Sequence, residues 1–133
     1  MKLETQWIVG FVEGTGCFHV SINPNLEARQ SLLPEFSVVQ HKKNVQILYA
    51  LKTYFCCGVV QGDGNVMIYR VRNLNHLTKI IIPFFEKHLL KTKQRIAFQK
   101  FRTILLKMER KEYLTVEGFE KIKTLSKDLD ANV

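Results

Sequence analysis

The stretch that decides the fold runs Trp7-Ile8-Val9-Gly10-Phe11-Val12-Glu13-Gly14-Thr15-Gly16-Cys17-Phe18. From Thr5 to Gly14, Trp7, Ile8, Phe11 and Val12 recur at helical spacing, so a short helix is expected. Gly10 and Gly14 fall four apart on another face and leave that side of the helix smooth. Gly16 is expected to stop the helix in the left-handed conformation that glycine adopts without steric cost. Cys17 to Asn23 then alternates, with Phe18, Val20 and Ile22 on one side and His19, Ser21 and Asn23 on the other. That is the pattern of a half-buried strand.

Working outward, Pro24 to Pro34 reads as a loop. Glu35 to Gln40 reads as a second strand, with Phe36 and Val38 inward and Glu35, Ser37 and Val39 outward. Val45, Leu48, Leu51 and Phe55 then mark a helix over Asn44 to Phe55. Gly62-Asp63-Gly64-Asn65 is a tight-turn signal joining Val59 to Gln61 with Val66 to Arg72 as a second hairpin. In its returning strand Val66, Ile68, Arg70 and Arg72 share one face, opposite Met67, Tyr69 and Val71. Asn73 is expected to cap a helix through Leu74, Leu77, Ile80 and Ile81, which Pro83 should end or kink. A further helix from about Thr92 carries Ala97, Phe101, Ile104, Leu105 and Met108, and Thr115 is the expected N-cap of a last one over Val116 to Leu129. The order is helix, hairpin, helix, hairpin, helix and helical tail, an α+β class.

The 133 residues, 46% of them hydrophobic, suffice for one ordinary core, so a single domain spanning 1–133 is expected. Lys and Arg total 20 against 12 acids, a formal net charge of +8, which points to a polyanionic partner. The three cysteines, Cys17, Cys56 and Cys57, form no Cys-x-x-Cys pair and no histidine stands at zinc-ligand spacing, so a reduced compartment fits best. No signal pattern and no apolar run long enough for a membrane span are present, so no membrane partner is expected. A protein made inside a chloroplast or mitochondrion needs no import sequence, and an organellar origin fits this reading.

The opening stretch, with Ile8, Gly10, Phe11, Val12, Glu13, Gly14 and Gly16 in the expected places, resembles the LAGLIDADG motif of the homing endonucleases. FSVVQHKKN from Phe36, CGVV from Cys57, KIIIPFFEKHLLKTK from Lys79 and YLTVEGF from Tyr113 sit where that family has similar segments. The resemblance implies an αββαββα fold: a curved antiparallel sheet saddle, helices on one face and a C-terminal helical tail. With one motif per chain it also implies a homodimer, the motif helices meeting through Gly10 and Gly14, although such a chain also resembles the second half of a two-motif protein. The implied partner is a long, nearly palindromic double-stranded DNA site, and intron-encoded RNA-binding maturases of the same scaffold are the alternative. His19, Ser21, Asn23, Glu35, Ser37, Gln61, Arg70 and Arg72 are the DNA-binding residues expected on the sheet face, with Lys42 and Lys91 on phosphates. Gln61, Arg70 and Arg72 are chemically the best base readers, since amide and guanidinium groups make paired bonds to purine edges.

By resemblance, an acid at the eighth motif position binds the divalent metal, Mg2+, that cleaves DNA. Here that position is Thr15, a poor substitute for a carboxylate. Gly14 matches the residue whose carbonyl assists the metal, and Glu13 matches a position of mainly structural role. Gln40 and Lys93 match the active-site periphery, where an amide positions water and an ammonium stabilises charge near the scissile phosphate. The expected molecule therefore binds duplex DNA and cleaves it poorly.

Overall fold

The computed structural model describes residues 1–130; the last three positions of the expected 1–133 span lie outside the described residues. Helix α1 (Thr5–Thr15) leads directly into strand β1 (Gly16–Ile22), and a single helical turn, Ala28–Ser31, precedes β2 (Leu32–His41). Helix α2 (Val45–Phe55), strands β3 (Val59–Asp63) and β4 (Val66–Val71), a composite helix α3 (74–87), α4 (Lys93–Glu109) and α5 (Val116–Asp130) complete the order. The strands form one antiparallel sheet in the order β1-β2-β4-β3.

Alternation sets the two faces. Phe18, Val20, Phe36, Val38, Tyr69 and Val71 are buried beneath the helices, as a period of two requires. Phe18 is ringed by Phe36, Phe85, Phe98 and Phe101 with centroids 5.2 to 5.6 Å away, so β1, β2, α3 and α4 share one aromatic cluster. Core aromatics of this kind typically stabilise by about 3 to 5 kcal/mol against truncation to alanine. The β3–β4 hairpin closes at Gly64-Asn65, where Gly64 has φ +63°, the left-handed region that a two-residue turn requires.

Several details differ from the sequence expectation, each for a physical reason. Gly16 is extended, with φ −88°, and does not stop α1 by a left-handed turn. It is needed for space, because a Cβ there would lie 2.6 Å from Val12 Cγ1. Strand β2 begins at Leu32, inside the expected loop, and Leu32 is fully buried. Pro34 is accommodated because it faces Val20 on β1 while the last β2–β4 pair is Phe36 with Val71, so a missing N–H on the β4 side costs no ladder bond. Pro83 does not end its helix. A widened π-type turn over Leu77–Ile81, in which the Ile82 amide donates to Leu77, precedes it and shifts the bonding pattern, and Ile82–Lys87 continues beyond. In α1, Val9 is buried while Phe11 is only half-buried and stacks on Trp7 at 4.8 Å, so the core stripe is Ile8, Val9 and Val12.

Asn73 and Thr115 cap their helices as expected, and Thr92 caps α4 as well. Asn73 Oδ1 accepts from the His76 amide, Thr92 Oγ1 from Gln94, and Thr115 Oγ1 from Gly118. Helix α5 lies along the outer edge of β1, where the Ser126 hydroxyl donates to the Val20 carbonyl. That bond satisfies a carbonyl on an edge the sheet leaves unpaired.

Candidate functional site

The C-terminal end of α1 is held from outside the helix. The Glu13 carboxylate accepts the Lys91 amide at 2.7 Å and the Thr92 amide at 3.1 Å, just ahead of α4. In return Gln94 Nε2 donates to the carbonyls of Val12 at 3.1 Å and Gly16 at 2.5 Å. The two bridges cross-brace the ends of α1 and α4. Burial acts to raise the Glu13 carboxyl, but hydrogen bonding to the Thr92 side chain and to the Lys91 and Thr92 amides, with the Lys91 charge, outweighs it and holds the group below its ordinary value. Lys93 sits between the two braced residues and lines, with Glu13, Gly16, Cys17 and Gln94, a cleft of about 440 Å3.

Thr15 lies beside this brace. Its hydroxyl donates to the Phe11 carbonyl at 2.6 Å, folding back on its own helix. Magnesium asks for several oxygen ligands and commonly a carboxylate. Here each Glu13 oxygen accepts a backbone amide, the Val12 and Gly16 carbonyls accept from Gln94, and the Thr15 hydroxyl spends its proton on Phe11. Among the described residues no group of three or more His, Cys, Asp or Glu side chains is placed to hold a metal ion. The acid at this helix end, Glu13, is thus committed to the brace, and position 15 offers a neutral hydroxyl where the motif acid is expected.

Gln40 stands at the same end of the sheet, two residues beyond Val38, the partner of Gly16. The β2–β4 register pairs it with Met67, on the face that packs against the helices, and its Oε1 accepts the His41 amide at 3.0 Å. In this conformation it serves the turn into Lys42. Lys42 is exposed, and its amide donates to Asn65 at 2.9 Å, joining the end of β2 to the hairpin turn. Lys91 is also exposed.

On the outward sheet face the register brings most of the expected readers together. His19 is opposite Glu35, Ser37 is opposite Arg70, and Arg70 faces Val59 while Gln61 faces Ile68. Arg72 Nε donates to Glu35 Oε1 at 2.6 Å, Arg70 Nη1 donates to Gln61 Oε1 at 2.9 Å, and Arg70 Nε lies 3.5 Å from Glu35. Three expectations change in detail. Ser37 has the right orientation but is buried. Asn23 lies one residue past β1, and its Oδ1 accepts the Asn25 amide at 3.0 Å, so it is a turn residue. His19 is engaged at 2.9 Å by Asp130 from the end of α5. The face is also less polar than expected, because Leu33, Val39, Val59 and Val66 are exposed on it.

Gln94 is the residue that the sequence reading missed; it follows Lys93 directly, but its two acceptors lie some eighty positions away. On α1, Trp7, Gly10, Phe11 and Gly14 share one surface stripe, and a Cβ at Gly10 or Gly14 would meet no atom within 4 Å.

The model of the LAGLIDADG endonuclease family matches residues 8–105, from the first buried residue of α1 through most of α4. The chain belongs to that family. Its LAGLIDADG motif is the α1–β1 junction described above. Among curated relatives, the probable intron-encoded endonuclease Cox1-I1b of Schizosaccharomyces pombe is 34% identical over 107 residues, 79% of this chain and 28% of that protein. The probable intron-encoded endonuclease 2 of Neurospora crassa is 26% identical over 125 residues, 92% of this chain and 26% of that protein. This chain thus spans about a quarter of the length of those LAGLIDADG relatives. Among solved structures it is similar to the homing endonuclease I-TnaI, with TM-score 0.85 and 43% identity, covering 99% of this chain and 97% of that one. It is also similar to I-SmaMI bound to an uncleaved DNA target in the presence of calcium ions, with TM-score 0.88 and 34% identity over 99% of this chain and 46% of that one.

Proposed function

We propose that the chain binds a long, nearly palindromic double-stranded DNA site through its outward sheet face, as a two-fold dimer, and cleaves it poorly or not at all. The observation that carries the binding reading is the cluster of Gln61, Arg70 and Arg72 on one face of the sheet, with Lys42 and Lys91 exposed elsewhere on the chain. Amide and guanidinium groups read purine edges, and lysines neutralise phosphate. The net charge of +8 favours a polyanion at long range.

The dimer reading rests on the α1 surface stripe. Two helix backbones approach closely only where side chains are absent, and Gly10 and Gly14 leave open space there beside the exposed Trp7–Phe11 stack. A two-fold axis through this stripe would bring both α1 ends, and both copies of Thr15, to the centre of the site. The similarity to I-SmaMI, which leaves more than half of that chain uncovered, supports a second unit of similar size completing the interface. An intron-borne origin in an organelle accords with the intron-encoded relatives.

Poor cleavage follows from the helix end. With Thr15 turned onto Phe11 and Glu13 committed to two amides, the chain supplies no free carboxylate where the family's metal would be held. When present, such a metal polarises the scissile phosphate and activates water. The chain's own residues retain only positioning roles: the cross-brace fixes Lys93 at the mouth of the cleft, and Gln40 stands at the adjoining sheet end.

Selection from randomised duplex DNA tests the proposal. A nearly palindromic winner that the protein binds as a dimer, and leaves largely intact with Mg2+, is the expected result. Failure to enrich any duplex, or equal enrichment of structured RNA, would overturn the DNA-binding reading.

A further inference from the structure

The outward sheet face carries an acid, Glu35, in the middle of its most basic cluster. A carboxylate facing a polyanion is costly unless it has an internal task. We propose that Glu35 is a positioning residue for base recognition: one carboxylate oxygen accepts the Arg72 Nε–H and balances the charge of neighbouring Arg70, aims the outer edge of Arg72 at guanine in duplex DNA, and keeps both arginines from sequence-blind phosphate contacts. This rests on the DNA-binding reading above.

The geometry is specific. Glu35 Oε1 accepts from Arg72 Nε at 2.6 Å and lies 3.5 Å from Arg70 Nε, so the same atom faces both guanidinium groups. The Glu35 side chain is 19% exposed against 62% for Arg72, which places the acid beneath the arginine it holds. A guanidinium held through Nε still presents its two Nη groups as a planar fork, the geometry that matches O6 and N7 of guanine. Among the described residues the Arg72 Nη atoms have no protein acceptor, while Arg70 Nη1 is further fixed by Gln61 at 2.9 Å. Arg70 Nε is buried without a hydrogen-bond partner, which leaves the Glu35 charge as its compensation. Without Glu35, two adjacent cations would repel each other, regain rotamer freedom and reach for phosphates. Phosphate contacts position the protein and carry no sequence information.

The test compares wild type, Glu35→Gln and Glu35→Ala on the best duplex from the wild-type selection and on a scrambled duplex of equal length, across a salt series. Glu35→Ala is expected to bind the scrambled duplex several-fold more tightly, with a salt slope steeper by about 1 to 2. Its preference for the selected duplex should fall by about ten-fold or more. Glu35→Gln, which keeps shape and one acceptor but loses the charge, should fall between the two, and a repeated selection with it should lose guanine at the position Arg72 reads. If the alanine variant does not fold, the glutamine variant decides alone. A variant that folds and keeps the wild-type preference and salt slope overturns the proposal while the DNA-binding reading stands. A wild-type protein that shows no preference between the duplexes overturns both.

Discussion

Glu13→Gln separates a structural role for this acid from a role as metal ligand. The substitution keeps the shape of the side chain but removes its charge and replaces one acceptor by an NH2 group facing a backbone amide. Two bonds are affected, at 2.7 and 3.1 Å. Hydrogen bonds to ionised groups contribute about 1.5 to 3 kcal/mol each when buried. Glu13 is partly exposed, so a combined loss of about 2 kcal/mol is expected. An unfolding entropy of about 2.1 cal/mol/K per residue converts this to a drop in Tm of roughly 7 °C. The effect has a pH signature. The folded carboxyl is held below its ordinary value, so its contribution is complete above the unfolded-state value of about 4.3 and is lost as pH falls through the folded value. Thermal melts of both proteins from pH 7 to pH 3 should show a gap that closes only in the acid range, and the Lys91 and Thr92 amides should exchange faster in the variant. A Tm within about 2 °C of wild type at pH 7, or a gap that persists unchanged at pH 3, would refute the cross-brace.

Gly10→Leu should give monomers by sedimentation and weak DNA binding, because the added side chain fills the open stripe on α1; a dimer with full binding would contradict this. Arg70→Ala and Arg72→Ala should each cost about 1 to 3 kcal/mol of discrimination between duplexes, whereas Lys42→Ala and Lys91→Ala should weaken binding to all duplexes alike in salt-dependent titrations. Tyr69→Phe removes a buried donor to the Cys57 carbonyl at 2.8 Å and should destabilise by about 1 to 3 kcal/mol in urea melts without changing DNA preference.

Much of this fold could be read from period and punctuation. The alternation of Phe18, Val20, Phe36, Val38, Tyr69 and Val71 names the buried face of the sheet, and Asn73 and Thr115 announce their helices by the caps they form. What could not be read depends on neighbours distant in the chain. Gly16 signals a left-handed stop when taken alone, and only its distance to Val12 shows that it supplies room instead. Pro34 and Pro83 break elements by local rule and are tolerated because of where β4 ends and how the preceding turn widens. At the site, residue type was legible but engagement was not. Thr15 could be recognised as a missing acid, yet its bond to Phe11, the tether of Glu13 to Lys91 and Thr92, and the double role of Gln94 all require tertiary placement. Strand parity also says nothing of the contacts His19 makes with Asp130 and Asn23 makes with the Asn25 amide.

In the proposed function, position 15 lacks the carboxylate that metal-dependent cleavage requires. The direct test is the cleavage rate, with Mg2+ and saturating protein, of the best-bound duplex by the Thr15 protein and by Thr15→Glu side by side. Similar affinity for the two proteins is expected, with double-strand cleavage at the centre of the site by Thr15→Glu and little or none by the Thr15 protein. Equal cleavage by both proteins would contradict it.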